Sequence, residues 1–255
     1  MMAFQRSVPV LTFHALDELP DAISFSAAAF QRGMERLYRA GYQAVDLMEV
    51  AERARSGRRF PPCSFAISFD DGYRSVFDQA FPVLRGLGMA ATIFLTVGQR
   101  PDRHPDSRLP PLNGREMLSW REIREMQRAG IAFGAHTLTH PDLTRLPLSQ
   151  VEAETYQSQQ IIEDALGIAV RSFAYPFGRY NRRCREVVRE RFFCAFSDRL
   201  GLTGPRGDPY ALERLDAYYL RNDRLFSLML GPLLAWYVSA RAVPRSVRRA
   251  LLPWP

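Results

Sequence analysis

The stretch Ser64-Phe65-Ala66-Ile67-Ser68-Phe69-Asp70-Asp71-Gly72 is an apolar, β-prone run that stops on two adjacent carboxylates and a glycine. A short run of this kind bounded by a turn signal reads as a buried strand. Similar runs recur at Val8 to Phe13, Gln43 to Leu47, Ala90 to Val97, Ile131 to Ala135, Ser172 to Tyr175, Phe193 to Phe196 and Ala211 to Leu215, with segments of helical period between them. This alternation predicts an α/β fold around a parallel sheet, either a barrel or doubly wound. In such architectures active sites are built at the C-terminal ends of the strands, which is where Asp70 and Asp71 fall. Adjacent strand residues point to opposite faces, so aiming both carboxylates at one place needs an immediate turn, and Gly72 permits one. The plainer reading of the same residues is a helix N-cap, for which Asp is favoured without any chemistry.

Between the strands, Ser26 is placed to cap a helix over 27–40, and Ser119 one over 120–129 that stops before Gly130. Ser149 with Glu152 has the spacing of a capping box. Pro82 interrupts the apolar pattern of 74–87 and predicts two short helical pieces there. Gly98 to Leu118, rich in Pro, Asp and Arg, and residues 198–210 read as long loops, which in a compact domain are more often functional than idle.

The whole chain has 255 residues, 47% hydrophobic, 12% aromatic and 24% charged, which suits one substantial soluble core and argues against extensive disorder or a multi-span membrane protein. Its net charge of +7 is carried entirely by Arg, since there is no Lys. A basic surface favours anionic partners such as phospholipid headgroups or phosphate-linked glycan carriers. Nucleic acid is disfavoured, because no motif of a nucleic-acid-binding module is present. Cys63, Cys184 and Cys194 include no C-x-x-C pair, so neither a disulfide framework nor a thiolate zinc site is suggested. Met1 to Val10 lacks the apolar core of a signal peptide and no run approaches the length of a bilayer span, so a cytoplasmic location is expected.

Two further segments carry polar signals at strand ends. In Gly134-Ala135-His136-Thr137-Leu138-Thr139-His140-Pro141, two histidines four apart follow a β run and can present their ring nitrogens to one metal ion. For an isolated pair, one packed and one surface His is the ordinary reading; here the pair shares the address of Asp71. In Phe173-Ala174-Tyr175-Pro176-Phe177-Gly178, a strand enters a Pro and Gly turn that can hold a backbone N–H toward an oxyanion, or serve as a plain turn.

Taken in this order, the three segments resemble the NodB-type polysaccharide deacetylases, carbohydrate esterase family 4, over roughly Pro9 to Ala217. Ser68 to Gly72 matches the family's T/S-F-D-D-G motif, His136 to His140 its H-S/T-x-x-H motif, and Phe173 to Gly178 the Y-P-F-G variant of its third motif. The resemblance implies a distorted (β/α)7 barrel and one divalent ion, zinc by type, held by Asp71, His136 and His140. It also implies Asp70 as the catalytic base and, by analogy, the backbone N–H of Phe177 as an oxyanion donor. The expected activity is metal-dependent removal of N-acetyl groups from a glycan or a lipid-linked sugar. Hydrolysis of a non-sugar C–N bond and an inactive glycan-binding protein on the same fold are the competing readings.

The chain departs from the family pattern at two points. Many members orient the base with an Arg in the third motif, where this chain has Ala174. Arg171 and Arg214 are neighbours of the segment in sequence or on a late strand, neither is assigned by motif, and a surface Arg is the plainer reading of each. Many members also use a late His as general acid, and no His follows His140. His14 ends the first strand and resembles the early His of the exopolysaccharide deacetylase branch; it is the candidate acid, with a packed or capping His as the other reading. His104, in the long loop, reads as solvated.

These motifs end before the C-terminus, so residues 1–220 are expected to form the catalytic barrel and 221–255 an apolar, Arg-rich appendage. Leu225 to Val238 is mostly apolar but too short to span a bilayer, and Arg241, Arg245, Arg248 and Arg249 follow it. Such a segment within 225–249 either lies in a membrane interface or packs on the barrel or another copy. The oligomeric state is not readable.

Overall fold

The computed structural model describes residues 6–99 and 104–251, with side chains from 244 onward outside that description. Met1 to Gln5, residues 100–103 of the long loop, and the side chains of Arg245, Arg248 and Arg249 therefore lie outside the described residues. The strands are β1 (Val10–Phe13), β2 (Gln43–Ala44), β3 (Ser64–Phe69), β4 (Thr92–Leu95), β5 (Ala132–Ala135), β6 (Ser172–Ala174), β7 (Cys194–Leu200) and β8 (Leu212–Asp216). The helices are α1 (Ala27–Arg39), α2 (Leu47–Ser56), α3 (Phe81–Leu87), α4 (Trp120–Arg128), α5 (Leu148–Leu166), α6 (Arg182–Arg191), α7 (Asp223–Phe226) and α8 (Leu233–Leu251).

Seven strands pair in parallel around a closed ring, β1-β3-β4-β5-β6-β7-β8 and back to β1. This is the distorted (β/α)7 barrel that the motif resemblance implies. The two-residue β2 stands outside the ring, pairing Gln43 with Ser64 and Ala44 with Phe65 on the β3 edge that β1 takes over at Ala66.

Every residue of β1, β3 and β4 is buried, as expected for strands between an inner core and an outer layer of helices. The period of two divides them. Leu11, Phe13, Phe65, Ile67, Phe69 and Phe173 belong to the large cluster shared with the helices. Phe13, for instance, meets Phe25 and Phe30 edge-on at 5.1 Å. Val10, Ala66, Phe94, Ala174, Cys194, Phe196 and Leu212 form a separate inner cluster, joined by Leu47, Val50, Ala51 and Ala54 of α2. A Cβ at Gly134 would come within 2.5 Å of the Phe94 ring, so the interior has no room for a side chain there. The inner face continues along the strands to Thr12, Ser68, Asp70, His136 and Arg214, all of them buried. Alternation alone thus carries polar groups to one end of the barrel axis.

The helices largely keep their expected limits. Ser26 caps α1 through Ala29, and Ser119 with Glu122 forms a reciprocal capping box on α4. Ser149 does not cap α5: Pro147 holds the N-cap position, with its fixed φ, and Ser149 lies inside the first turn. The two short helical pieces expected in 74–87 are present and follow each other directly. The backbone widens to a π turn over Val76–Ala80, and Pro82 sits in the first turn of α3, where a missing N–H costs least. β7 runs on to Leu200, so the second long loop begins later than the apolar run suggests. No described helix is long and apolar enough to cross a membrane.

Candidate metal and catalytic site

Asp70 ends the inward-facing series of β3, and its backbone N–H is fixed by Phe13 O of β1 at 2.9 Å. Asp71 would face outward if the strand continued. Instead Asp71 takes φ 75 and Gly72 φ 91, a sharp turn that brings the second carboxylate back toward the axis. A Cβ at Gly72 would meet Leu109 Cδ1 at 2.9 Å and Leu95 Cδ2 at 3.0 Å, a second reason for glycine. Among the described non-glycine residues with positive φ are Asp71, Asn113, Thr137, His140 and Phe177. Four of these five line one cavity, and Thr137 lies between its two histidines. Left-handed backbone at such positions is strain that the surrounding structure must hold in place.

His136 follows β5 and is buried; His140 arrives after a tight turn and is partly open. The turn is held by Glu154 of α5, 7% exposed. Its carboxylate accepts the N–H groups of Leu138 at 2.8 Å and Thr139 at 2.9 Å, and the Thr139 hydroxyl at 2.7 Å. Thr137 Oγ1 accepts from His140 N at 3.0 Å. His136 Nδ1 donates to Ala174 O at 2.8 Å, which fixes the tautomer and leaves the Nε2 lone pair directed into the site. The Nε2 atoms of His136 and His140 stand 3.4 and 3.3 Å from Asp71 Oδ1.

These three donor atoms lie within 4.8 Å of one another. Asp71 Oδ1 and His136 Nε2 are buried without a hydrogen-bond partner among the described residues. Orphaned buried acceptors are costly, and a divalent cation between two imidazoles and a carboxylate would satisfy both. The donor set therefore fits a metal ion. Burial pushes the Asp71 carboxyl up, but the close approach of His136 and the neighbouring imidazoles outweighs it and leaves it well below the usual range. Burial, with the charge of His136, pushes His140 down to about 4, the neutral form in which imidazole ligates.

Asp70 does not share that cluster. Arg214 of β8 crosses above β1 and grips it at two points, Nη1 to Oδ1 and Nη2 to Oδ2, each 2.7 Å. Arg214 Nε donates to Ser197 O at 2.9 Å, and the side chain is 3% exposed. Burial raises the Asp70 carboxyl, but the Arg214 charge, helped by His136, Arg214 hydrogen bonding and His14, holds it below the ordinary value. The reading of Arg214 as a surface residue is thus corrected. Arg171 is exposed and lies over the Phe193 ring at 4.7 Å, and His104 is exposed beside Asp106.

His14 Nε2 stands 3.9 Å from Asp70 Oδ2, on the side of the carboxylate open to the cavity. Phe177 takes φ 54 in the turn after β6, and its ring meets His140 edge-on at 4.6 Å. The six residues singled out from sequence, His14, Asp70, Asp71, His136, His140 and Phe177, all line one cavity of about 190 Å³, together with Arg214, Asn113, Asp198 and Asp216. Glu154 and Asn113 carried no sequence signal by motif. Glu154 was visible only as a polar residue on the buried face of α5, with Val151, Thr155, Ser158 and Ile162.

A family profile described as polysaccharide deacetylase matches residues 57–191. The YxkH protein of Bacillus subtilis (strain 168), whose name assigns it provisionally to the polysaccharide deacetylases, is 26% identical over 91% of this chain and 76% of its own length. The poly-beta-1,6-N-acetyl-D-glucosamine N-deacetylase of Escherichia coli (strain K12) is 29% identical over 48% of this chain, a stretch that is 19% of that protein. The solved structure of IcaB from Ammonifex degensii shares the fold, with a TM-score of 0.74 at 22% identity over 92% of this chain and 98% of that one.

Proposed function

The chain belongs to the polysaccharide deacetylase family, and on that footing we propose that it removes N-acetyl groups from a carbohydrate, either a glycan or a lipid-linked glycan intermediate. The observation that carries this reading is the pairing, in one cavity, of the Asp71, His136 and His140 donor cluster with an ionised Asp70 gripped by Arg214. When bound, a divalent ion, zinc by the match to two imidazoles and a carboxylate, supplies Lewis-acid polarisation of the acetyl carbonyl and lowers the pKa of water.

The chain's own residues divide the remaining work. Asp70 is the base. Arg214 occupies one lone pair on each of its oxygens, and a carboxylate oxygen has a second, so Asp70 still has capacity to accept a proton from the attacking water. Holding Asp70 below its ordinary pKa keeps it ionised at neutral pH. The backbone N–H of Phe177, set on the cavity wall by its left-handed φ, is the proposed donor to the developing oxyanion. His14 is the proposed acid for the departing amine, because an unprotonated amide nitrogen is a very poor leaving group. Its place beside Asp70 lets the proton taken by the base and the proton given to the amine be exchanged within one cavity.

The absent third-motif Arg and the absent late His together motivated an inactive reading. Arg214 reaches Asp70 from another strand and answers the first of these. The test is acetate release by metal-reconstituted protein over a panel of N-acetylated oligosaccharides and lipid-linked sugars, with Asp70→Asn as the control. Metal bound at one equivalent with no acetate from any of them would instead support a binding protein.

A further inference from the structure

The helix α8 has two apolar faces, and the barrel uses only one. Leu234, Tyr237 and Val238 are buried against the rest of the molecule, and Tyr237 Oη donates to Tyr219 O at 2.7 Å. Leu233 and Trp236 stand on the other side and are 60% and 72% exposed. With exposed Ala240, their spacing of three and four residues follows one stripe at the helical period. A scattered exposed apolar residue needs no explanation, but an aligned stripe that includes a largely exposed Trp marks an interaction surface.

We infer that this face docks on the surface of an anionic phospholipid bilayer. The charge of the segment decides the occupant. From Arg224 to Pro255 the sequence contains five Arg and no Asp or Glu. A face meant for another protein copy would have to place this one-signed charge against itself. A lipid surface instead supplies the counter-charge as headgroup phosphate, while Trp and Leu enter the headgroup and acyl boundary. Trp suits that boundary because its ring is apolar and its N–H is polar.

The test uses the full chain and two vesicle preparations, phosphatidylcholine alone and phosphatidylcholine with phosphatidylglycerol. Co-sedimentation is expected with the mixed vesicles, weakened by high salt and much weaker on phosphatidylcholine alone. Leu233→Ser with Trp236→Ser should lower binding to mixed vesicles by roughly tenfold or more, because both residues lose their insertion into the boundary. Both side chains are exposed, so folding and acetate release from a soluble oligosaccharide should not change. Failure of the wild-type chain to bind mixed vesicles would overturn the inference, as would equal binding to both preparations or unaltered binding by the double variant. A wild-type dimer that the double variant converts to monomer would overturn it too, by showing that a second copy covers the face.

Discussion

Arg214 and Asp70 form a buried two-point ion pair, both contacts at 2.7 Å and both side chains under 5% exposed, between the last strand of the barrel and the third. Removing one partner of such a pair strands the other charge and costs about 3–5 kcal/mol. Arg214→Ala is therefore expected to lose stability on that order in urea unfolding and to raise the Asp70 pKa, since burial then loses its main opponent. Arg214→Lys keeps the charge but not the fork, so it should stay folded, retain its metal, and lose turnover by about 10²-fold through misplacement of the base. Near-normal turnover in the Lys variant would show that the two-point grip does not position the base.

Base and ligand roles are separable by one contrast. Asp70→Asn is expected to abolish acetate release while leaving metal content nearly intact, whereas His136→Ala should lose both. Metal analysis after dialysis, beside the activity assay, checks it. Loss of metal from both variants would mean that Asp70 belongs to the ligand set.

The fold was legible because each strand announces itself as a short apolar run between polar turns, and the closed ring needs little else. The Asp70 to Gly72 turn and the two histidines were legible for the same reason, each following directly on a strand end. Arg214 was not, because Leu212-Glu213-Arg214-Leu215-Asp216 alternates in and out with a charge on either face, and only the ring closure says which face is inner. Glu154 was hidden differently: its partners are the backbone N–H groups of Leu138 and Thr139, which every sequence has and no motif records. The N-cap at Ser149 misled because its spacing with Glu152 is a local signal, and Pro147 two residues earlier already fixes the backbone.

His14→Ala tests the proposed acid. The variant should keep its metal and its substrate affinity and lose turnover by about 10² to 10⁴, the usual worth of general acid catalysis. His14→Gln keeps a polar side chain at the site without an ionisable proton to give. If either variant turns over near the normal rate, the proton for the amine comes from elsewhere.

A pH dependence of stability follows from Arg115, whose side chain is 8% exposed. It bonds Asp17 Oδ2 at 2.8 Å, Asp21 Oδ2 at 2.7 Å and Ser24 Oγ at 2.8 Å, tying the loop that brings Ala22 and Ile23 to the cavity wall. Burial pushes the Asp17 and Asp21 carboxyls up, but the Arg115 bonds and charge outweigh it and leave both below the usual value. A depressed carboxyl stabilises the fold fully above its unfolded pKa of about 4, and that contribution fades as pH falls through the folded value. Arg115→Ala should therefore lose stability at neutral pH and show a flatter acid limb than wild type. The same variant should raise KM more than it lowers kcat, since the loop walls the cavity without touching the base. An unchanged acid limb would show that Arg115 does not tie this loop through Asp17 and Asp21.

The last prediction concerns Glu154, which touches no proposed ligand side chain and yet holds the segment between two of them. Its carboxylate takes two backbone N–H groups and a hydroxyl, and this keeps Thr137 and His140 in left-handed backbone at φ 72 and 58. In Glu154→Ala those donors lose their acceptor inside a buried turn, and the strained conformations are no longer held. Outer partners of this kind are typically worth about 10- to 100-fold in metal affinity. The Ala variant should bind zinc weaker by that factor in a chelator competition, and excess metal should restore turnover, because Asp70, Arg214 and His14 are untouched. Glu154→Gln keeps one oxygen for the two N–H groups, and its amide can donate to the Thr139 hydroxyl, so it should lie close to wild type. Full zinc affinity in the Ala variant would mean that the turn holds itself. Lost turnover that excess metal does not restore would mean that Glu154 acts on the fold as a whole, not on the ligand turn.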